Sequence, residues 1–199
     1  MAYYYGWVSV DVTSYDTFRT AVNGNGFDCD NLYGAQCIDL FMLLNYNIGG
    51  YSAGYYDGPP YVKAGPNEYV SECWTVVTSR IYNTGLNKYD LITDVTQLKR
   101  GDMIILNGNV SNPPGHNAFC DEDYNPNHPG YISCLGQNQG GAYFPTGGAC
   151  ANVTNLYLSA FLGAFRLKQW NSTPPGPTPI SRGKFPWFLI ARKLRYGRI

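Results

Sequence analysis

The hydrophobic and polar positions change period partway along the chain, and the change separates helices from strands. In TSYDTFRTAVNGNG (13–26), Tyr15, Phe18, Ala21 and Val22 recur at spacings of three and four, the period of one helix face. Ser14 or Thr13 caps this helix and NGNG stops it. A second helix runs from Gln36 through CIDLFMLLNYNI to Gly49-Gly50, apolar on most sides and therefore buried. A third covers EYVSECWTVVTSRIYN (68–83), with Tyr69, Cys73, Val76, Val77 and Ile81 on one face. Between them GGYSAGYYDGPPYVKAGPN reads as a turn-rich loop. Later, MIILNG (103–108), HNAFCDED (116–123), YISCLGQN (131–138) and FLGAFRL (161–167) read as strands between Gly, Pro and Asn turns. Helices first and strands after predict an α+β fold.

Composition narrows this picture. The chain has 199 residues, enough for one domain with a core and a short appendage. Its 18 tyrosines, 23 glycines and 13 prolines favour sheet and loops over long helices. No apolar run approaches the ~18–20 residues of a membrane span. MAYYYGWVSV lacks a basic n-region and a small-residue cleavage site, so no secretory signal is expected. The six cysteines form no CxxC pair, which argues against structural zinc and for free thiols.

Charge divides the chain again. The net charge is zero, but residues 1–168 carry all 14 acids and 8 of the 14 bases. Residues 181–199 carry Arg182, Lys184, Arg192, Lys193, Arg195 and Arg198 and no acid. The expected organisation is a domain over 1–168, a Pro-rich linker over 169–180 and a basic aromatic tail over 181–199. With Trp187, Phe188 and Leu189, the tail either docks on the domain or holds an anionic wall polymer or membrane surface. Nucleic acid is not an expected partner, because the domain is acidic.

The candidate chemistry is that of a thiol. Cys37 follows the turn-prone Tyr33-Gly34 and opens the apolar helix, where the helix dipole favours a thiolate. A thiolate nucleophile needs a base, and there are only two histidines. His116 begins a strand just after NPPG. His128 sits in PNHPG and is expected to be an exposed loop residue. Asn138, at the end of the next strand, offers an amide to orient the imidazole. Gln137 would point to the opposite face of that strand. Asp121, Glu122 and Asp123 are expected to be solvated loop acids.

These pieces resemble the CHAP family, the cysteine/histidine-dependent amidohydrolases/peptidases of phage endolysins and bacterial autolysins. YGAQCIDL matches the nucleophile segment, LKRGDMIIL the strand before the base, GHNAF the base and CLGQNQGG the orienting amide. LGAFRL matches the closing strand. The matches fall in the family's order over about residues 10–168. The resemblance implies a papain-like fold, with N-terminal helices on an antiparallel sheet or half-barrel, and cleavage of an amide bond in peptidoglycan. It assigns Cys37 as nucleophile, His116 as general base and acid, and Asn138 as orienting amide. One departure is Gly136, where many phage members have Glu.

DCDNLYGAQCID (28–39) places Asp28, Asp30 and Asp39 at positions 1, 3 and 12 of a twelve-residue span, the acidic positions of an EF-hand loop. Leu32 at position 5 and Gly34 at position 7 depart from that motif. Calcium-binding CHAP domains resemble the stretch, which implies a structural Ca2+ held by Asp28, Asp30 and Asp39 with backbone carbonyls of Leu32 and Gly34. Residues two apart on a helix differ by about 200°, so Asp39 should face away from the Cys37 thiol.

Peptidoglycan is thus the expected substrate, and a phage lysin the expected role. Such a lysin collects in the host cytoplasm before release to the wall, or is carried on a virion. The alternatives are a non-catalytic wall-binding or virion tail protein, and a cytosolic cysteine peptidase.

Overall fold

The computed structural model describes residues 1–31, 33–49, 88–108 and 114–171. The expected helix over 68–83, the loop before it, Leu32, and nearly all of the linker and tail lie outside the described residues.

The chain begins with β1 (Tyr3–Tyr5), α1 (Tyr15–Val22), β2 (Gly26–Asp28) and α2 (Cys37–Gly49). Six further strands follow: β3 (Tyr89–Ile92), β4 (Met103–Leu106), β5 (His116–Cys120), β6 (Tyr131–Gly136), β7 (Asn152–Tyr157) and β8 (Phe161–Leu167). A short α3 (Lys168–Asn171) ends the described chain. Strands β3 to β8 form one sheet in the order β3-β8-β4-β5-β6-β7, and every neighbouring pair is antiparallel. Strands β1 and β2 pair parallel beside it. The fold is α+β, a few helices packed with a six-stranded antiparallel sheet. No helix of the described residues is long and apolar enough to cross a membrane.

The period-three-and-four pattern of α1 makes a helix because its ends are closed. Ser14 accepts from the Thr17 N–H while Thr17 answers the Ser14 N–H, a capping box. The helix lays Tyr15, Phe18 and Val22 into the core. In α2, the run Leu40 to Leu44 is wholly buried. Its polar Asn45 is satisfied by bonding the Phe41 carbonyl and accepting from Tyr89 Oη.

Alternation along the strands supplies both sides of the sheet. Met103, Ile105 and Phe119 join the helices in one core cluster. Ile104, Leu106, Ala118 and Cys120 turn into a second cluster on the other face. MIIL is therefore buried on both sides, which is why it reads as a continuous apolar run.

Asp121 is not a solvated loop acid. It takes a two-pronged bond from Arg19 at 2.7 and 2.8 Å and a third from Tyr15 Oη at 3.0 Å, tying α1 to the end of β5. The sequence signal was hidden because Arg19 lies 102 residues away. Glu122 and Asp123 do lie at the surface and accept backbone N–H bonds from Ser133 and Arg100.

Candidate active site

The nucleophile candidate sits where two elements begin. Cys37 is the first residue of α2, and α2 packs against β5 and β2. The chain reaches that point through a tight passage. Gly34 has φ +76°, and a Cβ there would stand 2.2 Å from the Gly147 carbonyl oxygen. Only glycine lets residues 33–35 press against 146–148 in this way. The Ala35 N–H then bonds that same carbonyl at 3.2 Å.

His116 opens β5 opposite Leu106 of β4. The residue before it, Gly115, has φ +77°, and a Cβ would lie 2.4 Å from the Leu106 carbonyl oxygen. The turn therefore delivers the imidazole directly onto the strand edge beside the N-terminus of α2, where His116 and Cys37 are hydrogen-bonded.

The electrostatics of this pair are reciprocal. Burial pushes the Cys37 thiol up. The positive imidazole of His116, their hydrogen bond, and backbone N–H groups of Asn117 and Ile38 outweigh it, leaving the thiol below its ordinary range. Burial pulls His116 down, but the Cys37 charge, its hydrogen bond and that of Gln139 raise it above the usual value. Cys29 and Cys120 move the other way: burial, with neighbouring acids or Cys134, pushes both thiols up. The five described cysteines are all free, and of these three it is Cys37 that is driven toward thiolate. His128 is exposed and stacks on Tyr131.

The amide that meets His116 is not the expected one. Strand β6 stops at Gly136, so the alternation assumed through Asn138 does not continue. Asn138 takes a left-handed φ of +56°. Its exposed side chain donates to Gln36 Oε1 at 2.8 Å and does not bond His116. The amide that meets His116 Nε2, at 2.9 Å, is Gln139. Its sequence signal was Gly136: a strand residue with no side chain leaves room for a longer one to fold back from the following turn. An ideal Cβ at Gly136 would be 2.5 Å from Gln139 Oε1. Gln137 is fully buried. It accepts from Phe27 N–H at 2.7 Å and donates to the carbonyls of Phe27 and Gln36, clamping β2 and the entry to α2 onto the end of β6.

An acidic group gathers at the entry to α2. One carboxylate oxygen from each of Asp28, Asp30 and Asp39 falls within 4.8 Å of the others. Asp39 turns back from the helix, accepting from Cys29 N–H at 2.7 Å and Gln36 N–H at 2.8 Å. Burial, then the charges of Asp30 and Asp28, raise its carboxyl well above the usual range despite those two bonds. Asp28 is 3% exposed, and its Oδ2 accepts from Tyr3 Oη while its Oδ1 is buried with no hydrogen-bond partner. A buried orphan oxygen among three clustered carboxylates suits an oxygen-coordinated hard cation.

Comparison with known proteins gives one relative by sequence. The chain is 31% identical over 179 residues to the D-alanyl-L-alanine endopeptidase of Streptococcus phage B30, a match covering 87% of this chain. The chain spans only 35% of that relative's length. Among solved structures, the endolysin LysIME-EF1 matches with a TM-score of 0.51 at 20% identity, over 77% of this chain and 64% of that one; this likeness shows the fold. No protein-family model matches the chain.

Proposed function

We propose that this chain is a phage-type peptidoglycan hydrolase that cleaves an amide bond through a cysteine thiolate. The observation that carries the reading is the Cys37–His116 pair: a thiol at a helix N-terminus, held below its ordinary pKa by the imidazole it bonds. The sequence relative supports peptidoglycan as the substrate class, and its name makes a D-alanyl–L-alanine peptide bond the first to test. The muramoyl–L-alanine amide is the second.

The chemistry follows from the pair. The Cys37 sulfur attacks the scissile carbonyl carbon, and the Cys37 N–H at the start of α2 stabilises the oxyanion. The imidazolium of His116 gives its proton to the leaving amine as the C–N bond breaks. His116, now neutral, takes a proton from water, which attacks the thioester and releases the carboxylate and the thiol.

Asp28, Asp30 and Asp39, with the carbonyls of Gly34 and Leu32, are proposed to hold a calcium ion. Such an ion would fix the entry to α2 from the side away from substrate, and no step of the reaction passes through it.

Purified peptidoglycan is the test. Wild-type protein should clear a wall suspension and release fragments whose new termini, read by mass spectrometry, identify the bond. Cys37→Ala should release none. Fragments released equally by Cys37→Ala would overturn the thiolate mechanism, and no release by the wild type would overturn the hydrolase reading.

A further inference from the structure

An imidazole serves a neighbouring thiol well only if its resident proton sits on the nitrogen remote from sulfur. We propose that Gln139 is the positioning residue of this site, fixing His116 as the Nε2–H tautomer and leaving Nδ1 toward Cys37.

Three contacts carry this. Gln139 Nε2 donates to the carbonyl oxygen of Cys134 at 2.9 Å and to that of Asn152 at 2.7 Å. Carbonyl oxygens only accept, so both amide hydrogens are committed and the amide cannot turn over. Its Oε1 is thereby aimed at His116 Nε2, 2.9 Å away, and an oxygen with no proton must receive one. Cys134 and Asn152 belong to the paired strands β6 and β7, so the amide is held by the sheet, not by the loop that bears it.

The neighbouring amides do not fill this role. Asn138 is engaged with Gln36. Gln137 has its oxygen on Phe27 and its nitrogen on Phe27 and Gln36. A carboxylate at 139 could accept from the imidazole but would face two carbonyl oxygens with no hydrogen to offer. The site therefore calls for an amide, and bare Gly136 provides the space for it.

The inference rests on His116 being the base in the reading above, yet its main test needs no turnover. In a His128→Gln background, His116 is the only histidine of the chain. Long-range 15N–1H correlation of 15N-histidine-labelled full chain, at a pH where the ring is neutral, reads the tautomer directly. The expected result is Nε2–H in this background and a mixture of tautomers in Gln139→Met, which keeps the bulk and loses the polar atoms. Gln139→Asn is the second variant, should Met fail to fold: it keeps an amide but withdraws the oxygen from Nε2, and the same mixture is expected. On purified peptidoglycan, kcat should fall about ten- to a hundredfold with KM unchanged, part of the roughly 10²–10⁴ that a positioned acid–base group supplies. Asn138→Gly, which keeps the turn and removes only the Asn138 amide, should keep the Nε2–H tautomer. A pure Nε2–H tautomer in both Gln139 variants, or mixing in Asn138→Gly instead, would overturn the assignment. If the wild type cleaves no wall while the tautomers behave as expected, the hydrolase reading fails and the role of Gln139 stands.

Discussion

The proposed calcium site makes a prediction whose size follows from charge. Two unit charges 4.8 Å apart repel by about 3.5 kcal/mol at an effective dielectric constant of 20. Three ionised carboxylates in mutual contact would cost about 10 kcal/mol on the same scale, comparable to the whole stability of a domain. Without a cation, burial and the charges of Asp30 and Asp28 raise the Asp39 carboxyl well above its ordinary range, which favours its neutral form and relieves part of this repulsion. Because the folded pKa is raised, the contribution of Asp39 to stability is full below its unfolded pKa and is lost as pH rises through the folded value. The chelated protein should therefore lose stability from this group as pH rises above the ordinary carboxylate range. Calcium should remove that loss, since it binds the ionised form and releases the proton. Mass action gives about 2.7 kcal/mol at a hundredfold excess over the dissociation constant, which is roughly 5–10 °C in melting temperature for a chain of this size. The assay is thermal melting in chelator and in millimolar calcium, at pH 5 and pH 7.5. The calcium-induced rise should be larger at the higher pH, and Asp30→Asn should abolish it without lowering the chelated melting temperature. Superimposed melts in chelator and calcium, or a full rise in Asp30→Asn, would show that the cluster is only an acidic turn.

Cys37→Ala and His116→Ala should each abolish release of wall fragments, and His128→Ala should not; an inactive His128→Ala beside an active His116→Ala would move the base. Activity should follow a bell in pH, falling on the acid side as the depressed Cys37 thiolate is protonated. It should fall on the alkaline side as the raised His116 loses its proton, both limbs belonging to the coupled pair. Asn117 is 1% exposed, and both polar atoms of its side chain are without a hydrogen-bond partner. Asn117→Leu should therefore stabilise the fold by about 1–3 kcal/mol in denaturant melts, and a lower midpoint would refute this.

How much could be read from the chain differs by element. The helix α1 and its Ser14 cap were legible because period and cap agree. The start of α2 was legible because an apolar run has few other homes. Strands β4, β5 and β8 lie inside the sheet, so their residues are apolar enough to be seen. Among the described residues, strands β3 and β7 are the edges, paired on one side only; NVTNLY in β7 has no fully buried position, only half-buried and exposed ones, and carries little signal. Strands β1 and β2 have three residues each, and their parallel pairing joins segments more than twenty residues apart. At the site, Cys37 and His116 were visible because each begins an element with a clear pattern. The contact of Gln139 with His116 was not legible because a period of two was carried past Gly136, where the strand has ended. Beyond that point, backbone dihedrals decide direction, and those are set by tertiary contacts.

That turn gives the remaining prediction. Residues 137, 138 and 139 are consecutive amides that serve three different partners: the backbone of Phe27 and Gln36, the side chain of Gln36, and His116. They diverge because Asn138 adopts φ +56°, a conformation that costs most L-residues about 1–2 kcal/mol and that Asn and Gly tolerate. Asn138 thus serves the site through its backbone, by reversing the chain between Gln137 and Gln139. Its own bond, to Gln36 at 2.8 Å, is exposed and adds little. Asn138→Gly keeps the turn and loses only that bond, so kcat and melting temperature should stay near wild type. Asn138→Ala loses the bond and strains the turn, so it should be destabilised by about 1 kcal/mol, with a fall in kcat that follows the displacement of Gln139. If Asn138→Gly is as impaired as Asn138→Ala, the backbone account fails. The Asn138 amide itself must then act on substrate or on the imidazole during turnover.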